Sequence, residues 1–456
     1  MASQGRLASI EHSQAASEAA GGIAISAALW RTWRWCRRHA HLFGAVLFFV
    51  GMCVPFVRKV EQGEWQRCFV RAAQRMERGE IIHRPHEPNT YAYPPAMAMF
   101  VMPLAQLPLY WSLFAWYIVN VAAMMTAISC AWRLIGATSL AELDRSWWAV
   151  FWLGLFLVSR FLVAPLENQQ FDVVITACVF AGCLAQWRGR EVAAAFWLGI
   201  AAAMKCTPLL FAPYLVWRGR IRAAALMALI AVFVNRLPDY FWPLPNGASY
   251  LGDWIGTCLL KLGQSTPGVW DSDVLLNQSL SGLVNRLAQS GIPLSTAQLP
   301  SVWTMFSSTA TSAIRWLTYG SGLGLLAITA LSFGRPGRAA AVPALTGGAP
   351  APWASLKTPL ELAAVLCLML LLSPMSSKAH YVILLLPCLF VSRAAIEKRL
   401  DWRLWLPPLI LLGPLTAKGI TGKPLGDLML AWGFPTLFAA VLLAALWTLN
   451  RRREVT

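Results

Sequence analysis

Charged side chains are scarce in this sequence of 456 residues: Asp, Glu, Lys and Arg together make up 13% of it, against ~25% in ordinary soluble domains. Hydrophobic residues account for 57%, and the mean hydropathy is +0.53, which leaves too little polar surface to cover a soluble globule. This composition excludes a cytosolic enzyme, a disordered protein and a secreted disulfide scaffold. It predicts an all-α polytopic membrane protein, since apolar runs of membrane-spanning length recur along the chain.

Several common signatures of soluble enzymes are also missing. The sequence has no Cys-x-x-Cys pair, no P-loop, no Gly-rich dinucleotide motif and no Ser-His-Asp elbow, which argues against nucleotide chemistry. Its histidines are scattered, and only His83 and His86 are close enough to be considered as a ligand pair, so no metal site is predicted. Most of its ten cysteines lie in apolar runs, where a thiol behaves as a small hydrophobe.

The apolar runs and the basic residues between them predict the topology. The net charge is +17, and the positive-inside rule places the basic turns and the terminal arginines in the cytoplasm. Both termini are therefore predicted to be cytoplasmic, with long extracytoplasmic loops at 58–94 and 235–303. About 10 full spans are predicted, at 42–57, 111–132, 147–165, 171–187, 223–236, 310–333, 358–375, 380–396, 404–417 and 428–449.

The segment 192–217 does not fit a single span, because it is interrupted at Lys205-Cys206-Thr207-Pro208. Pro208 removes a backbone donor, and a lysine near mid-bilayer costs at least ~2.5–3.5 kcal/mol. One span here would also put the arginines at 188–190 and 218–222 on opposite sides of the bilayer. The segment is therefore predicted to be a re-entrant hairpin of two half-helices.

These features predict the organisation of the chain. No internal duplication is visible, which argues against the related halves of many transporters. The predicted parts are a cytoplasmic tail at 1–41, a membrane module at 42–333, a low-complexity cytoplasmic linker at 334–357, C-terminal membrane helices at 358–450 and a basic cytoplasmic tail at 451–456.

Residues 64–78 of the first long loop have the periodicity of an amphipathic helix. The helix is predicted to lie flat on the membrane, with its apolar face in the acyl boundary. Glu64 borders its basic stripe on a helical wheel, and is either a helix N-terminal acid or part of a site. The arginines are either part of an interfacial support or partners of an anionic head group. The apolar stripe consists of Trp65, Cys68, Phe69, Ala72, Ala73 and Met76, and the basic stripe of Arg67, Arg71, Arg75 and Arg78.

Further polar motifs are predicted on the same side of the membrane. Taken singly, each has a simple structural explanation: interface tyrosines, a helix-capping Asp, a snorkelling His. In chain order they are Tyr91-Ala92-Tyr93-Pro94-Pro95, then Glu167-Asn168-Gln169-Gln170-Phe171-Asp172, then Asn277-Gln278-Ser279-Leu280-Ser281-Gly282-Leu283, then the turn from Ser373 to Tyr381 that includes Lys378 and His380.

The order of these motifs resembles the polyprenyl-phosphate-sugar-dependent glycosyltransferases of the GT-C superfamily, and specifically family 87, which includes bacterial mannosyl- and arabinosyltransferases. The resemblance covers roughly residues 42–400. It depends on an acid before an amphipathic helix, Tyr-Pro-Pro, Asn-x-Gln-Phe-Asp, Lys-Cys-Thr-Pro in a broken helix, Asn-Gln-Ser-Leu, and His-Tyr-Val. The chain departs from the family at Ala379, where a second histidine is usual, and at Gln169, where glycine is usual.

The resemblance implies a GT-C helical bundle and assigns roles to residues. Glu64 is the best match to the family's general base, usually Asp, and Glu61 is the alternative. The implied donor is a polyprenyl-phosphate sugar, mannose by default, and the acceptor is a lipid or a glycan. No metal or other cofactor is required, because protein cations hold the phosphate leaving group. The implied binding residues are Lys205, His380, Arg67, Arg71, Lys378, Gln170, Asp172, Tyr93, Asn277 and Gln278.

The expected reaction inverts the sugar with one carboxylate base, at the extracytoplasmic face of the plasma (inner) membrane. Two other functions are compatible with the sequence. A transporter or lipid flippase would use Lys205 and Asp172 to gate a pathway, and a structural envelope protein would keep the scaffold without activity. No nucleic-acid partner is expected.

Overall fold

This computed structural model describes residues 40–60, 63–84, 87, 89–137, 144–260, 275–290, 312–334 and 350–453. Every regular element within these ranges is helical, which confirms the all-α prediction. The chain divides into two compact units, Met1–Val54 and Pro55–Thr456. The first contributes most of the helix Ala40–Arg58, and the second contains all the described helices from Trp65 onward.

Many of the helices are long and apolar enough to cross a membrane, so the protein is an integral membrane protein. Among the described residues seven pass this test, or eight if the pair Trp402–Thr416 and Lys418–Ala431, bent by 96°, is one span. Two further predicted spans coincide with shorter apolar helices, Val46–Arg58 and Asp172–Trp187, and the total of ten stays a prediction. The seven are Leu109–Leu134, Arg145–Glu167, Ile221–Phe241, Ser312–Phe333, Trp353–Leu371, Lys378–Ile396 and Phe434–Arg452.

The remaining helices are short and connect or interrupt the long ones. The last predicted span, 428–449, is divided, because one helix ends at Ala431 and the next begins at Phe434. The short helices are Trp65–Val70, Arg71–Glu77, Pro95–Ala105, Glu191–Met204, Thr207–Leu210, Phe211–Trp217, Tyr250–Trp254, Ile255–Leu259 and Leu280–Ser290.

The predicted break at Lys205 is present. The helix Glu191–Met204 ends there, and Lys205 itself is extended, with φ −155° and ψ 129°. Pro208 follows in the first turn of the 3-10 helix Thr207–Leu210. The first N–H groups of a helix have no acceptor within it, so the missing N–H of proline costs no hydrogen bond there. Lys205 still donates its backbone N–H to the carbonyl oxygen of Ala201 at 3.0 Å, but its extended conformation ends the helix at this point.

The returning half-helix is anchored by a buried ion pair at its far end. Arg218 donates from Nη2 to Glu361 Oε1 at 2.6 Å and from Nε to Oε2 at 2.9 Å. The Tyr214 hydroxyl donates to the same carboxylate at 3.0 Å. Breaking such a buried pair leaves an uncompensated charge, so this contact holds Phe211–Trp217 against the helix Lys357–Leu371.

The first long loop contains a helical segment, but its apolar face packs against protein rather than lipid. Trp65 is fully buried, stacks on Trp116 with ring centroids 4.7 Å apart, and donates from Nε1 to Ser112 Oγ at 2.9 Å. The prediction that this face rests in the acyl boundary is therefore wrong. Aromatic side chains of the helix Leu109–Leu134 and of Phe171 cover the face instead.

Candidate functional site

A cavity of about 420 Å³ lies where the predicted motifs meet. Its volume is in the range of small-molecule sites, ~300–1,000 Å³. Its walls come from the first long loop, the 168–170 turn, the helix break, the second long loop and the 373–380 turn. The predicted site residues that line it are Glu64, Tyr93, Gln170, Lys205, Lys378 and His380.

Glu64 is the carboxylate of this cavity. It stands directly before the π-helical turn Trp65–Val70, whose wider spacing alters the register of the residues that follow. Gln170 Nε2 donates to Glu64 Oε1 at 2.6 Å, a contact between positions 106 residues apart in the chain. Burial raises the pKa of Glu64 from 4.5 to about 7, and this hydrogen bond opposes the shift.

Lys205 and Asp172 form an ion pair beside the cavity. Lys205 Nζ lies 2.7 Å from Asp172 Oδ1, and both side chains are largely enclosed. Asp172 is the first residue of the helix Asp172–Trp187, and its Oδ2 is buried without a hydrogen-bond partner among the described residues. The positive charge of Lys205 is therefore balanced within the protein.

His380 is a neutral hydrogen-bond donor here. The backbone N–H of Ser377 donates to His380 Nδ1 at 3.1 Å, so Nδ1 must accept and the ring proton is on Nε2. Nε2 lies 3.7 Å from Asp172 Oδ1. The expectation that His380 supplies a positive charge is therefore wrong, and the backbone of its own turn fixes the neutral tautomer.

The predicted arginines do not line the cavity. Arg71 donates from Nη2 to the carbonyl oxygen of Asn89 at 2.8 Å and lies 3.9 Å from Glu87. Arg67 is exposed on the outer surface of the same helical segment. Acids of the loop partly balance the basic stripe: Glu87 lies 2.7 Å from Arg75, and Arg75 holds the pKa of that carboxyl below its usual value.

Asn277 and Gln278 also lie away from the cavity, where they join the second long loop to the 373–381 turn. The Asn277 side chain donates to the carbonyl oxygen of Pro374 at 3.0 Å. The backbone N–H of Gln278 donates to the carbonyl oxygen of Ser376 at 2.6 Å. The Tyr381 hydroxyl donates to the carbonyl oxygen of Gln278 at 2.5 Å. Their motif therefore shapes one wall of the cavity from behind.

Sequence reasoning missed Trp254, which lines the cavity from the second long loop. Its Nε1 donates to the carbonyl oxygen of Ala92 at 3.1 Å. The preceding residue, Asp253, contacts His83 at 2.8 Å, and His83 donates from Nε2 to the carbonyl oxygen of Tyr93 at 3.0 Å. No motif surrounds Trp254, so only the fold could place it here.

Two further predictions concern a histidine pair and an alternative base. His86 and the alternative base Glu61 lie outside the described residues. Within the described ranges no group of three or more His, Cys, Asp or Glu side chains is arranged to hold a metal ion.

The fold and the cavity define an integral membrane protein with a recessed polar site that combines a carboxylate with lysines. The model of glycosyltransferase family 87 matches residues 91–374, more than half of the sequence. The chain belongs to glycosyltransferase family 87, as the order of its motifs predicted. Lys205 and Gln170 lie within the matched residues, whereas Glu64 and His380 lie outside them.

One curated relative is a polyprenol-phosphate-mannose-dependent alpha-(1-2)-phosphatidylinositol pentamannoside mannosyltransferase of Mycobacterium tuberculosis (strain CDC 1551 / Oshkosh). The two sequences are 28% identical over 146 residues, which is 32% of each chain, so the match spans about a third of that relative. Crystal structures of ArnT from Cupriavidus metallidurans are also similar, with 90% of this chain and 78% of ArnT covered. The TM-score is 0.39 at 12% identity for the apo state and 0.40 at 13% identity for the state bound to undecaprenyl phosphate.

Proposed function

We propose that this protein transfers a monosaccharide, mannose by default, from a polyprenyl-phosphate donor to a lipid or glycan acceptor. The observation that carries the proposal is that Glu64 shares one cavity with Lys205 and Lys378. A base for the acceptor and cations for the phosphate are the groups that such a transfer needs. Membership of family 87 and the donor named for the mycobacterial relative, polyprenol-phosphate mannose, support the same donor class.

Glu64 acts as the general base in this proposal. Its carboxylate takes the proton of the acceptor hydroxyl as that oxygen forms a bond to the anomeric carbon of the sugar. The bond between the anomeric carbon and the phosphate oxygen breaks, and its electron pair leaves with the polyprenyl phosphate. A base opposite the leaving group implies inversion. Gln170 holds Oε1 of Glu64, so the carboxylate is oriented before the acceptor binds.

The phosphate leaves near the lysines. Asp172 already balances Lys205, whereas Lys378 has no ion pair within 4.0 Å among the described residues. Lys378 is therefore the cation with most charge available to the developing phosphate dianion, and Nε2 of His380 adds a neutral donor. Lys205 donates hydrogen bonds to the phosphate in this proposal, and its ion pair with Asp172 holds its ammonium group in place at the cavity wall.

The arrangement of arginines supports an extracytoplasmic active site. The cavity lies beyond the end of the helix Lys357–Leu371, at Ser373, whereas Glu361 near its start pairs with Arg218. At ~1.5 Å per residue the two points are about 18 Å apart. Arg393 donates to the carbonyl oxygen of Ala351 at 2.9 Å. Ala351 precedes the helix Lys357–Leu371, so Arg393 lies at the same end of that helix as Arg218. Under the positive-inside rule that end is cytoplasmic, which in a bacterium makes the plasma (inner) membrane the proposed location.

Transfer of label would test the proposal directly. Purified protein in lipid is incubated with radiolabelled polyprenyl-phosphate mannose and an extract of membrane glycolipids. We expect labelled acceptor and free polyprenyl phosphate to form in equal amounts. A transporter would move the donor across the bilayer without consuming it, and an inactive scaffold would do neither; both results would contradict the proposal.

The pH dependence of transfer should show the ionisation of Glu64. Since burial raises its pKa to about 7, the base form is lost as the pH falls through 7. We therefore expect the rate at limiting donor to fall about tenfold per pH unit below pH 6 and to level off above pH 8. A rate independent of pH between 5 and 8 would exclude Glu64 as the base.

A further inference from the structure

Arg160 is a half-buried arginine whose two terminal guanidinium nitrogens, Nη1 and Nη2, are enclosed without a hydrogen-bond partner among the described residues. It lies in the helix Arg145–Glu167, seven residues before its end, which corresponds to ~10 Å of depth. Buried guanidinium donors are normally paired, because an unpaired one loses its hydration without replacement.

The end of this helix belongs to the cavity side of the protein. Asn168, the residue that caps the helix, lines the cavity. The bend between Trp402–Thr416 and Lys418–Ala431 packs against the same helix, since a Cβ at Gly413 would lie 3.0 Å from the carbonyl oxygen of Leu157. Leu157 lies three residues before Arg160, so the bend packs on the turn of the helix that precedes Arg160.

More cations than acids meet around Arg160. Arg160 interacts electrostatically with Asp427, and Lys378 interacts with Arg160, Lys418 and Asp427. Asp427 is already engaged, because its Oδ1 lies 2.5 Å from Lys418 Nζ. Glu167 also faces Lys378, but it lies 3.4 Å from Lys59. A cluster with surplus positive charge at this depth favours an anionic ligand.

We propose that Arg160, with Lys378 and Lys418, binds the phosphate of a membrane lipid beside the cavity. A guanidinium offers two parallel donors to a phosphate, a geometry that a lysine cannot reproduce. The phosphate is either that of the polyprenyl donor or that of an anionic bilayer lipid such as phosphatidylglycerol. Only the first source rests on the proposed function.

Lipid binding to the purified, delipidated full chain in detergent would test this site. Binding of polyprenyl phosphate without sugar, of phosphatidylglycerol and of phosphatidylcholine is measured by native mass spectrometry. We expect Arg160→Gln to weaken binding of at least one phosphate lipid about ten- to a hundredfold, the effect of losing charge-assisted hydrogen bonds. Lys418→Gln should weaken it less. Lys423→Gln, which removes an exposed cation from the same helical segment, is the matched control and should change nothing.

The lipid that is lost identifies the source. Loss confined to polyprenyl phosphate supports a site for the donor phosphate, and loss that includes phosphatidylglycerol supports a general anionic-lipid site. Unchanged binding of both, or an equal loss for zwitterionic phosphatidylcholine, would overturn the proposal.

The melting temperature separates a binding role from a structural one. Because Arg160→Gln removes an unpaired buried charge, the lipid-free variant should melt at the same or a higher temperature than the parent. If it does not fold, Arg160→Lys and Lys418→Gln serve as the test. Glu64→Gln should bind the same lipids as the parent. Lipid binding and sugar transfer are therefore tested separately, and a failure to detect sugar transfer would not contradict the lipid site at Arg160.

Discussion

Glu64→Gln should lower sugar transfer from a polyprenyl-phosphate donor by about 10²–10⁴-fold, the usual contribution of a general base. The amide keeps the size of the side chain and a hydrogen-bonding partner for Gln170, so the loss reports the missing proton acceptor rather than a rearranged cavity. The measurement is the initial rate of radiolabel transfer by purified protein in lipid. Full activity in this variant would remove Glu64 from the proposed role.

Two comparisons make the result specific. Glu64→Asp keeps the base and shortens it by one methylene, and should retain more activity than Glu64→Gln. Glu80→Gln removes an exposed acid of the same loop that does not line the cavity, and should leave the rate unchanged.

The stability of Glu64→Gln should move in the opposite direction to its activity. A carboxyl whose folded pKa is raised from 4.5 to about 7 favours folding in its protonated form, and this contribution is lost as the pH rises through 7. Above pH 7 the variant should therefore melt at the same or a higher temperature than the parent. A lower melting temperature would mean that the ionised carboxylate stabilises the fold.

Breaking the Asp172–Lys205 pair should destabilise the protein strongly. Lys205→Met leaves the Asp172 carboxylate buried and uncompensated, and Asp172→Asn leaves Lys205 in the same condition. Each single change is expected to cost about 3–5 kcal/mol, whereas the double variant should recover most of that loss because neither charge remains. Thermal unfolding of the purified variants in detergent measures the effect.

The same variants separate structure from catalysis. If Lys205 contributes to phosphate binding, the double variant should regain its melting temperature but not its transfer activity. Arg78→Met is the control, since Arg78 pairs with Glu80 at the exposed surface, where an ion pair contributes ~0–1 kcal/mol. If Lys205→Met and Asp172→Asn each changed the melting temperature as little as Arg78→Met does, that result would contradict a buried pair at this position.

The broken helix and the motif order were accessible from the sequence because each depends on local chemistry. Pro208 and an ionisable residue within an apolar segment disfavour a continuous span wherever they occur. Arg160 gives the same kind of signal within the predicted span 147–165, and it was overlooked among its apolar neighbours. An arginine in such a run indicates a functional site or a specific partner.

The surroundings of Glu64 could not be predicted in the same way. A regular helical wheel placed it beside Arg67 and Arg71, but the π-helical turn after it changes the register and Gln170 becomes its partner. Periodicity also cannot tell an apolar stripe that faces lipid from one that faces protein. The stripe around Trp65 contacts Trp116 instead of acyl chains.

Composition, periodicity and motif order determined that this chain is a helical membrane protein of family 87 with a broken helix at Lys205, since none of these properties requires knowing which distant residues are in contact. Tertiary structure alone decided which polar side chains share a cavity: Glu64, Lys205 and Lys378 do, and Asn277 does not. It also set the charge state of the site, because burial raises the pKa of Glu64 and the backbone N–H of Ser377 fixes the neutral tautomer of His380.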